Sequence, residues 1–92
     1  MIEITEHICL RFIERFNPQL NAIDDYHDRM NRAKMAIKSI LNEARYLSDD
    51  EKGILMFSEV HNCYLIIRKK RLITLYPRNE KAKKRGRMQE NG

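Results

Sequence analysis

His7, Arg11 and Arg15 stand four positions apart near the start of the chain, a spacing that could support chemistry. Side chains four residues apart lie above one another on a helix, so the three would form one stripe. An imidazole transfers protons near neutral pH, and guanidinium groups bind phosphate and stabilise developing negative charge. This combination suits metal-free RNA cleavage, in which a base promotes attack of the ribose 2′-OH and an acid protonates the leaving 5′-oxygen. We therefore predict catalytic roles for His7, as base or acid, and for both arginines on the scissile phosphate.

The competing interpretation of this stripe is an ordinary solvated face. Cys9, Phe12, Ile13 and Phe16 recur at helical spacing and form the apolar face of the same segment. On a helical wheel the stripe falls away from that face, where charged side chains belong in any amphipathic helix. The spacing alone therefore leaves both interpretations open.

The basic residues are concentrated at the C-terminal end of the chain. Residues 1–67 carry 8 Lys and Arg against 11 Asp and Glu, whereas residues 68–92 carry 10 against 2. Clustered cations neutralise phosphates and release counterions, so this end is predicted to bind nucleic acid; the alternative is a solubilising tail. The predicted nucleic-acid-binding residues are Lys69, Lys70, Arg71, Arg78, Lys81, Lys83, Lys84, Arg85 and Arg87.

Tyr64 and Tyr76 lie close in sequence to several of these cations. Aromatic rings beside phosphate-binding charges stack on nucleic-acid bases, provided that the sheet face carrying them is exposed. A tyrosine on a strand more often packs its ring at the edge of a core. Base stacking is therefore a hypothesis that depends on the tertiary arrangement.

The chain has no residues at the spacing that a metal or cofactor site requires. We expect His27 to be partly buried and hydrogen-bonded, and His61 to be solvated in a turn. Cys9 and Cys63 have no partner spacing, so we expect two buried thiols rather than a disulfide or a zinc site. The three glycines stand alone, which disfavours a phosphate-binding loop. We therefore predict no metal and no cofactor.

Two helices must position the candidate residues in the first half of the chain. Thr5 is a suitable N-cap for a first helix that ends near Phe16. Asn17 and Pro18 are typical of the start of a second helix, because proline at the first helical position needs no N–H. We expect this helix to end near Leu47, followed by a polar loop over residues 48–53. Its apolar stripe recurs every three or four residues as Ile23, Tyr26, Met30, Ala33, Ile37, Ile40, Ala44 and Leu47.

The composition then changes to β-branched and aromatic residues in three short runs, 54–58, 63–68 and 72–76. Such short links between runs favour an antiparallel meander. In the last run Leu72 and Thr74 alternate with Ile73 and Leu75, as in a sheet that helices cover on one side. We predict an α+β fold with residues 1–77 as a single domain, in which two N-terminal helices pack on one face of a three-stranded antiparallel sheet. Residues 78–92 are predicted to form a disordered, basic C-terminal tail.

No membrane partner is expected from this sequence. No run approaches the roughly 18 apolar residues of a membrane span, and the first residues do not resemble a signal peptide. Residues 78–92 offer only Ala82 and Met88 to a membrane surface. We therefore expect a cytoplasmic protein.

Two segments resemble the motifs of a group of small bacterial and phage proteins. These proteins open with a His-x-x-x-Arg-x-x-x-Arg helix, matched here by residues 7–15, and close on a Thr-x-Tyr strand, matched by residues 72–76. The group is placed near the RelE and BrnT toxins, in the barnase-like class of metal-independent ribonucleases, and the resemblance covers residues 5–16 and 54–77. It implies helices on an antiparallel sheet around an RNA-binding or RNA-cleaving cleft, with Tyr76 as a further catalytic residue beside His7, Arg11 and Arg15.

These observations predict a small protein of phage or prophage type that binds RNA through its basic end. Toxin-like, metal-independent ribonuclease activity is the sharper hypothesis. The alternative is a non-enzymatic interaction module, such as a phage-encoded modulator of a host protein. Its partner would be a host protein, an antitoxin-like protein or a second copy that pairs through the apolar stripe of the second helix.

Overall fold

Two α-helices and four β-strands make up residues 2–78, the part of the chain that the structure, a computed structural model, describes. The four strands pair antiparallel in their order along the chain, so each is bonded to its neighbours in sequence. The fold is therefore α+β as predicted, but with four strands rather than three. In chain order the elements are α1 (Glu6–Phe16), a 3-10 helix (Pro18–Ala22), α2 (Tyr26–Glu43), β1 (Arg45–Asp50), β2 (Gly53–Ser58), β3 (Cys63–Arg68) and β4 (Arg71–Pro77).

Helix α1 agrees with the sequence prediction at both ends. The Thr5 hydroxyl accepts a hydrogen bond from the Ile8 N–H at 3.3 Å and so caps the N-terminus. The helix ends at Phe16, and the Asn17 N–H donates to carbonyls of the last turn. The apolar face centred on Phe12 is buried, which confirms the predicted orientation of this helix.

Helix α2 is shorter than predicted at both ends. Residues 18–22 form a separate 3-10 helix, and α2 begins only at Tyr26, where the Asp25 carboxylate accepts the Asp28 N–H at 2.8 Å. Asp25 is a better N-cap than any residue near Pro18, because its carboxylate also faces the positive end of the helix dipole. At the other end Ala44 is already extended, so the helix stops after Glu43 rather than near Leu47.

Strand β1 replaces the last turn of the predicted helix and part of the predicted loop. All six of its residues are exposed at the edge of the sheet, and they pair with β2 around a bulge at Leu47. An edge strand that is solvated in this way needs no apolar alternation, and acidic residues on it discourage pairing with other chains. The predicted loop is confirmed only for the turn at residues 51–52; it was wrong for residues 48–50 because this strand depends on β2 and not on its own pattern.

Strands β2, β3 and β4 form the predicted meander. Two tight turns at the same end of the sheet have unusual backbone angles: Lys69 and Lys70, between β3 and β4, have φ of 52° and 62°, and Gly53, at the start of β2, has φ of 129°. A Cβ atom on Gly53 would lie 2.5 Å from the carbonyl oxygen of Ile67, so only glycine fits there.

A bulge in β4 changes which of its side chains face the helices. Leu72 pairs with Ile67 and Thr74 with Ile66, so Ile73 is the extra residue. Leu72 and Leu75 are therefore both buried, while Ile73 is 43% exposed. The predicted alternation of Leu72 and Thr74 against Ile73 and Leu75 was wrong because the bulge shifts the register by one residue.

The outer edge of β4 is partly covered by the start of the chain. The Glu3 N–H donates to the Lys70 carbonyl at 2.7 Å, and the Glu3 carbonyl accepts from the Leu72 N–H at 3.0 Å. The Glu3 carboxylate also pairs with the Arg71 guanidinium at 2.8 Å. These bonds place residues 2–4 beside β4 and lead directly into α1, which packs along the same strand.

Both helices pack against one face of the sheet. The apolar stripe of α2 is buried within the chain, so its central residues are not available as the seam of a dimer. None of the helices in residues 2–78 has the length and apolar composition that a membrane span needs. The core consists of Ile8, Cys9, Phe12 and Ile13 from α1, Met30, Ala33, Ile37 and Ile40 from α2, Ile4, and Cys63, Leu65, Ile67, Leu72 and Leu75 from the sheet.

Candidate nucleic-acid interface

The sheet has a second face, on the side away from both helices. Successive residues of a strand point to opposite faces, so Leu65 joins the core while Tyr64 and Ile66 point away from it. Neither α1 nor α2 packs on that side. We call it the open face, and it is formed by Leu55 and Phe57 of β2, Tyr64 and Ile66 of β3, and Thr74 and Tyr76 of β4.

Three aromatic rings form a continuous row across the open face. Phe57 pairs with Tyr64 and Tyr64 with Tyr76 in the strand register. The ring centroids of Phe57 and Tyr64 lie 5.0 Å apart at an interplanar angle of 50°, and those of Tyr64 and Tyr76 lie 5.4 Å apart and are stacked at 25°. We call these residues the aromatic row. Cross-strand pairs of this kind stabilise a sheet while leaving the outer surface of the rings apolar.

Two arginines cover the Phe57 end of the aromatic row. The guanidinium carbons of Arg45 and Arg78 lie 5.9 and 6.0 Å from the centroid of the Phe57 ring, within the range of cation–π contacts. Arg45 comes from the edge strand, directly opposite Phe57, and also pairs with Glu59 at 3.1 Å. As a result Phe57 is only 8% exposed although it faces away from the core cluster. The row therefore combines stacking surfaces with two cations at one end.

The predicted catalytic stripe of α1 lies on the outside of the helix layer. His7 and Arg11 are exposed, and Arg11 pairs with Glu14 of the same helix at 3.5 Å. Arg15 instead turns towards the sheet and donates to the Leu75 carbonyl at 3.3 Å. Eight residues of helix separate His7 from Arg15 by about 12 Å. The stripe is therefore spread along α1 rather than gathered around one point.

Tyr76 is not brought together with the whole stripe. Its ring stacks on Tyr64 on the open face, whereas α1 packs on the opposite face of the sheet. Arg15 is the member of the stripe that reaches the strand carrying Tyr76, through the carbonyl of the preceding residue. His7 lies at the other end of α1, next to the segment that pairs with the start of β4.

The predicted basic residues divide between the two ends of the sheet. Lys69 and Lys70 form the β3–β4 turn, about 17 Å along β3 from Tyr64. The sequence proximity of Tyr64 to these lysines thus does not become a contact. Arg71 is at the same turn and is paired with Glu3, whereas Arg78 is beside the aromatic row. The other predicted cations, Lys81, Lys83, Lys84, Arg85 and Arg87, lie outside the described residues, as does most of the predicted tail.

Sequence reasoning missed Arg45 and Phe57. Strand β2 is apolar on both faces, so the alternation that separates a covered face from an open one is absent from its sequence. Arg45 fell inside the segment predicted to be helical. The excess of aromatic residues at facing positions becomes visible only when the strand register is known.

The other histidines do not form a site with the aromatic row. His27 is exposed, so the prediction that it is partly buried was wrong; Asp25 caps α2 and leaves this first-turn position in solvent. His61 is exposed in the β2–β3 turn as expected, and its backbone N–H donates to the Ser58 hydroxyl at 3.1 Å. Its Nδ1 lies 3.6 Å from a carboxylate oxygen of Glu43, to which the Ser58 hydroxyl also donates.

This polar cluster stabilises the turn rather than forming a catalytic triad. One imidazole nitrogen, Nδ1 of His61, faces both Ser58 and Glu43, whereas a triad needs the two nitrogens to face different partners. Ser58 is fully buried beneath the turn. Within residues 2–78 no group of three His, Cys, Asp or Glu side chains lies close enough to hold a metal ion.

Both cysteines are buried free thiols, as predicted. Burial raises the pKa of Cys63 to about 11; the nearby Glu43 carboxylate also raises it, while a hydrogen bond with Ser58 lowers it. Burial likewise raises the pKa of Cys9. Both thiols therefore stay protonated near neutral pH, so neither is available there as a thiolate nucleophile.

The chain matches no protein-family model, and searches of the curated proteins and of the solved structures found no significant match. The class that the fold defines is thus an α+β protein with two helices on one face of a four-stranded meander. The resemblance to the RelE and BrnT group stays a prediction that depends on residues 7–15 and 72–76.

Proposed function

We propose that this protein binds single-stranded RNA on the open face of its sheet. The observation that carries the proposal is the aromatic row: the stacked rings of Tyr64 and Tyr76 continue to Phe57 on a face that no helix in residues 2–78 covers. Sequence-tolerant binding of single strands uses this combination of stacking rings and flanking cations. Base stacking requires a sheet face that RNA can reach, and the open face is our candidate for it.

In this proposal the rings and the arginines contact different parts of the RNA. Each base that stacks on Tyr64 or Tyr76 contributes about 1–3 kcal/mol, whatever its identity. Arg45 and Arg78 lie at the Phe57 end of the row, where their guanidinium groups are placed to contact the phosphates between stacked bases. A duplex is a poor ligand for such a face because its bases are already stacked on one another.

The basic turn extends this surface in one direction. Lys69 and Lys70 lie at the far end of the strands that carry Tyr64 and Tyr76, so a strand of RNA that leaves the aromatic row along β3 meets further positive charge. The five cations that follow Arg78 in sequence belong to the same C-terminal end. These charges are expected to add affinity without base preference.

The test is a binding titration of a labelled, unstructured RNA by fluorescence anisotropy. Replacing Tyr76 by leucine removes a stacking surface while keeping an apolar side chain on the strand, so we expect affinity to fall about tenfold. Tyr46→Leu is the matched control, because Tyr46 is 60% exposed on the same sheet but lies on the helix side. Equal losses from the two variants would refute the proposed surface. So would equal affinity for the same sequence annealed into a duplex.

The contribution of the C-terminal end can be separated from that of the row. A chain that ends at Arg78 keeps the cation over Phe57, and it should bind more weakly and show a flatter dependence of affinity on salt, by about 0.7 in slope for each phosphate of a single strand that is no longer neutralised. The Tyr76→Leu variant should keep the salt slope of the full chain. Unchanged affinity after truncation would show that the C-terminal end is not part of the interface.

Cleavage of the bound RNA is a separate proposal, and it depends on the α1 stripe. The stripe contacts the sheet through Arg15, which donates to the carbonyl one residue before Tyr76. Purified wild type, His7→Ala and the control His27→Ala are incubated with the same unstructured RNA in EDTA, and the product ends are identified. Cyclic-phosphate ends that disappear only in His7→Ala would support cleavage by His7. If all three proteins are folded and the RNA stays intact, the cleavage proposal is refuted and only the binding proposal remains.

A further inference from the structure

A groove of about 630 Å³ lies on the helix side of the sheet, on the face opposite the aromatic row. Its floor is formed by Ile54, Met56 and Ile67, and its walls by Leu41 of α2, Tyr46 of β1 and the N-terminal Ile2. The volume lies within the range of cavities that bind small organic molecules. The groove shares no residue with the proposed RNA surface.

The groove lies beside α2, where the first half of β2 is only partly covered. Ile54, Met56 and Leu41 are consequently only half-buried, in contrast to the centre of the core. A continuous apolar surface of this kind is characteristic of a binding site.

The polar side chains of the groove are concentrated on one wall. Lys38 and Asn42 lie four residues apart on α2 and therefore project from the same side of the helix. The Lys38 ammonium offers a positive charge with three donors, and the Asn42 amide offers two more. Among residues 2–78 the lining contains no acidic side chain. The groove thus combines an apolar floor with a positively charged rim.

Two occupants that belong to this chain fit the groove poorly. Residues 79–92 contain Ala82 and Met88 as their only apolar side chains, which is too few to replace water on such a floor. A second copy packed groove to groove would bring another Lys38 and no acidic lining residue to the interface, so its charge would be unmatched.

We propose that the groove binds an amphipathic carboxylate, with an unbranched aliphatic tail on Ile54, Met56 and Ile67. The carboxylate accepts hydrogen bonds from the Lys38 ammonium and the Asn42 amide at the rim. This ligand satisfies both features of the groove, because the tail covers the apolar floor and the head group neutralises the Lys38 ammonium.

The first experiment is a calorimetric titration of the full chain with octanoate, decanoate and dodecanoate, each below the concentration at which it forms micelles. Each added methylene that enters the groove should raise affinity about fourfold until the floor is full. Decanol, which keeps the tail and lacks the charge, should bind at least tenfold more weakly than decanoate. Affinity that does not depend on chain length would overturn the proposal, and so would the absence of binding.

Matched variants on α2 test the rim. Lys38→Met removes the ammonium and keeps the apolar stem, so decanoate affinity should fall about tenfold while decanol affinity is unchanged. Lys34→Met, one turn earlier on the same helix and outside the groove, should behave as wild type. An equal loss in both variants would show that the carboxylate responds only to the net charge of the helix.

The position of the tail can be read from methionine methyl groups by NMR. Decanoate should shift the Met56 methyl signal, which comes from the floor, and leave that of Met35 in place, although Met35 is 70% exposed on the same protein. A shift at Met35 alone would show unspecific adsorption. Sedimentation that reveals a dimer, with Met56 insensitive to decanoate, would assign the groove to a second copy and refute the carboxylate.

Discussion

The two faces of strand β3 are built from adjacent residues, yet they differ in burial. Cys63, Leu65 and Ile67 point into the core and are almost completely buried, whereas Tyr64 and Ile66 point to the open face and are half-buried. Both sets are apolar, so hydrophobicity alone does not distinguish them. The difference arises because the two helices supply partners on one side only. The covered face holds the fold together, and the open face is the one on which we propose that RNA binds.

The largest difference in stability between the two faces is expected when two neighbouring side chains of β3 are shortened to alanine. Leu65→Ala leaves a cavity beneath the helices and should lower the free energy of unfolding by about 3 kcal/mol. Ile66→Ala, one residue further on the open face, should cost about 1 kcal/mol. Urea denaturation with comparison of midpoints and slopes measures both. Similar losses would mean that the open face is packed as tightly as the core.

A second difference appears at high pH, through Cys63 on the covered face. The folded thiol keeps its proton up to a pKa of about 11, whereas the unfolded thiol loses its proton above about 9.0. The unfolded state therefore releases its proton first, and stability that is intact below pH 9 is lost as the pH rises towards 11. The loss attributable to this group is up to about 1.4 kcal/mol per pH unit. Cys63→Ala should show a shallower decline than wild type, and parallel curves would contradict the assignment.

The β3–β4 turn places charge at the end of the open face at a cost in backbone conformation. Lys70 has a φ of 62°, a left-handed conformation that costs a residue with a Cβ atom roughly 1–2 kcal/mol. Lys70→Gly should therefore raise the free energy of unfolding by about 1 kcal/mol and weaken RNA binding slightly at low salt. Lys52→Gly, in the adjacent turn between β1 and β2, is the control for loss of a turn lysine. A destabilised Lys70→Gly protein would show that the turn is not strained.

The smallest effect is expected on the outer surface of α1. Arg11 pairs with Glu14 in solvent, and exposed pairs of this kind contribute less than about 0.5 kcal/mol. Arg11→Ala should leave the midpoint of unfolding nearly unchanged. If the same variant nevertheless abolishes RNA cleavage, the stripe acts in chemistry and not in the fold. A large loss of stability would instead make the stripe part of the structure.

Local patterns in the sequence were sufficient for several elements. The Thr5 cap and the periodicity around Phe12 predicted α1 and its buried face, because a helix is specified by residues within a few positions of one another. The three β-branched runs likewise predicted β2, β3 and β4 and their antiparallel order. The two cysteines were recognised as buried thiols from their spacing and type.

Patterns that depend on distant partners were not predictable. Strand β1 has the composition of a loop and forms only because β2 offers it hydrogen bonds. The bulge at Ile73 reversed the faces assigned to half of β4, since register is set by the partner strand. The start of α2 at Tyr26 rather than at Pro18 is, by contrast, a local feature that the prediction missed, because Asp25 caps the helix there.

The candidate site shows the same division. The sequence by itself determined that Tyr64 and Tyr76 stand on strands, that cations are concentrated after residue 67, and that His7, Arg11 and Arg15 share one side of a helix. Only the tertiary structure decided that the tyrosines meet Phe57 on an open face and that the lysine turn lies at the other end of the strands. Side-chain periodicity is a local property of the backbone, whereas cross-strand register and the side of the sheet on which α1 and α2 pack arise from contacts between residues far apart in the chain.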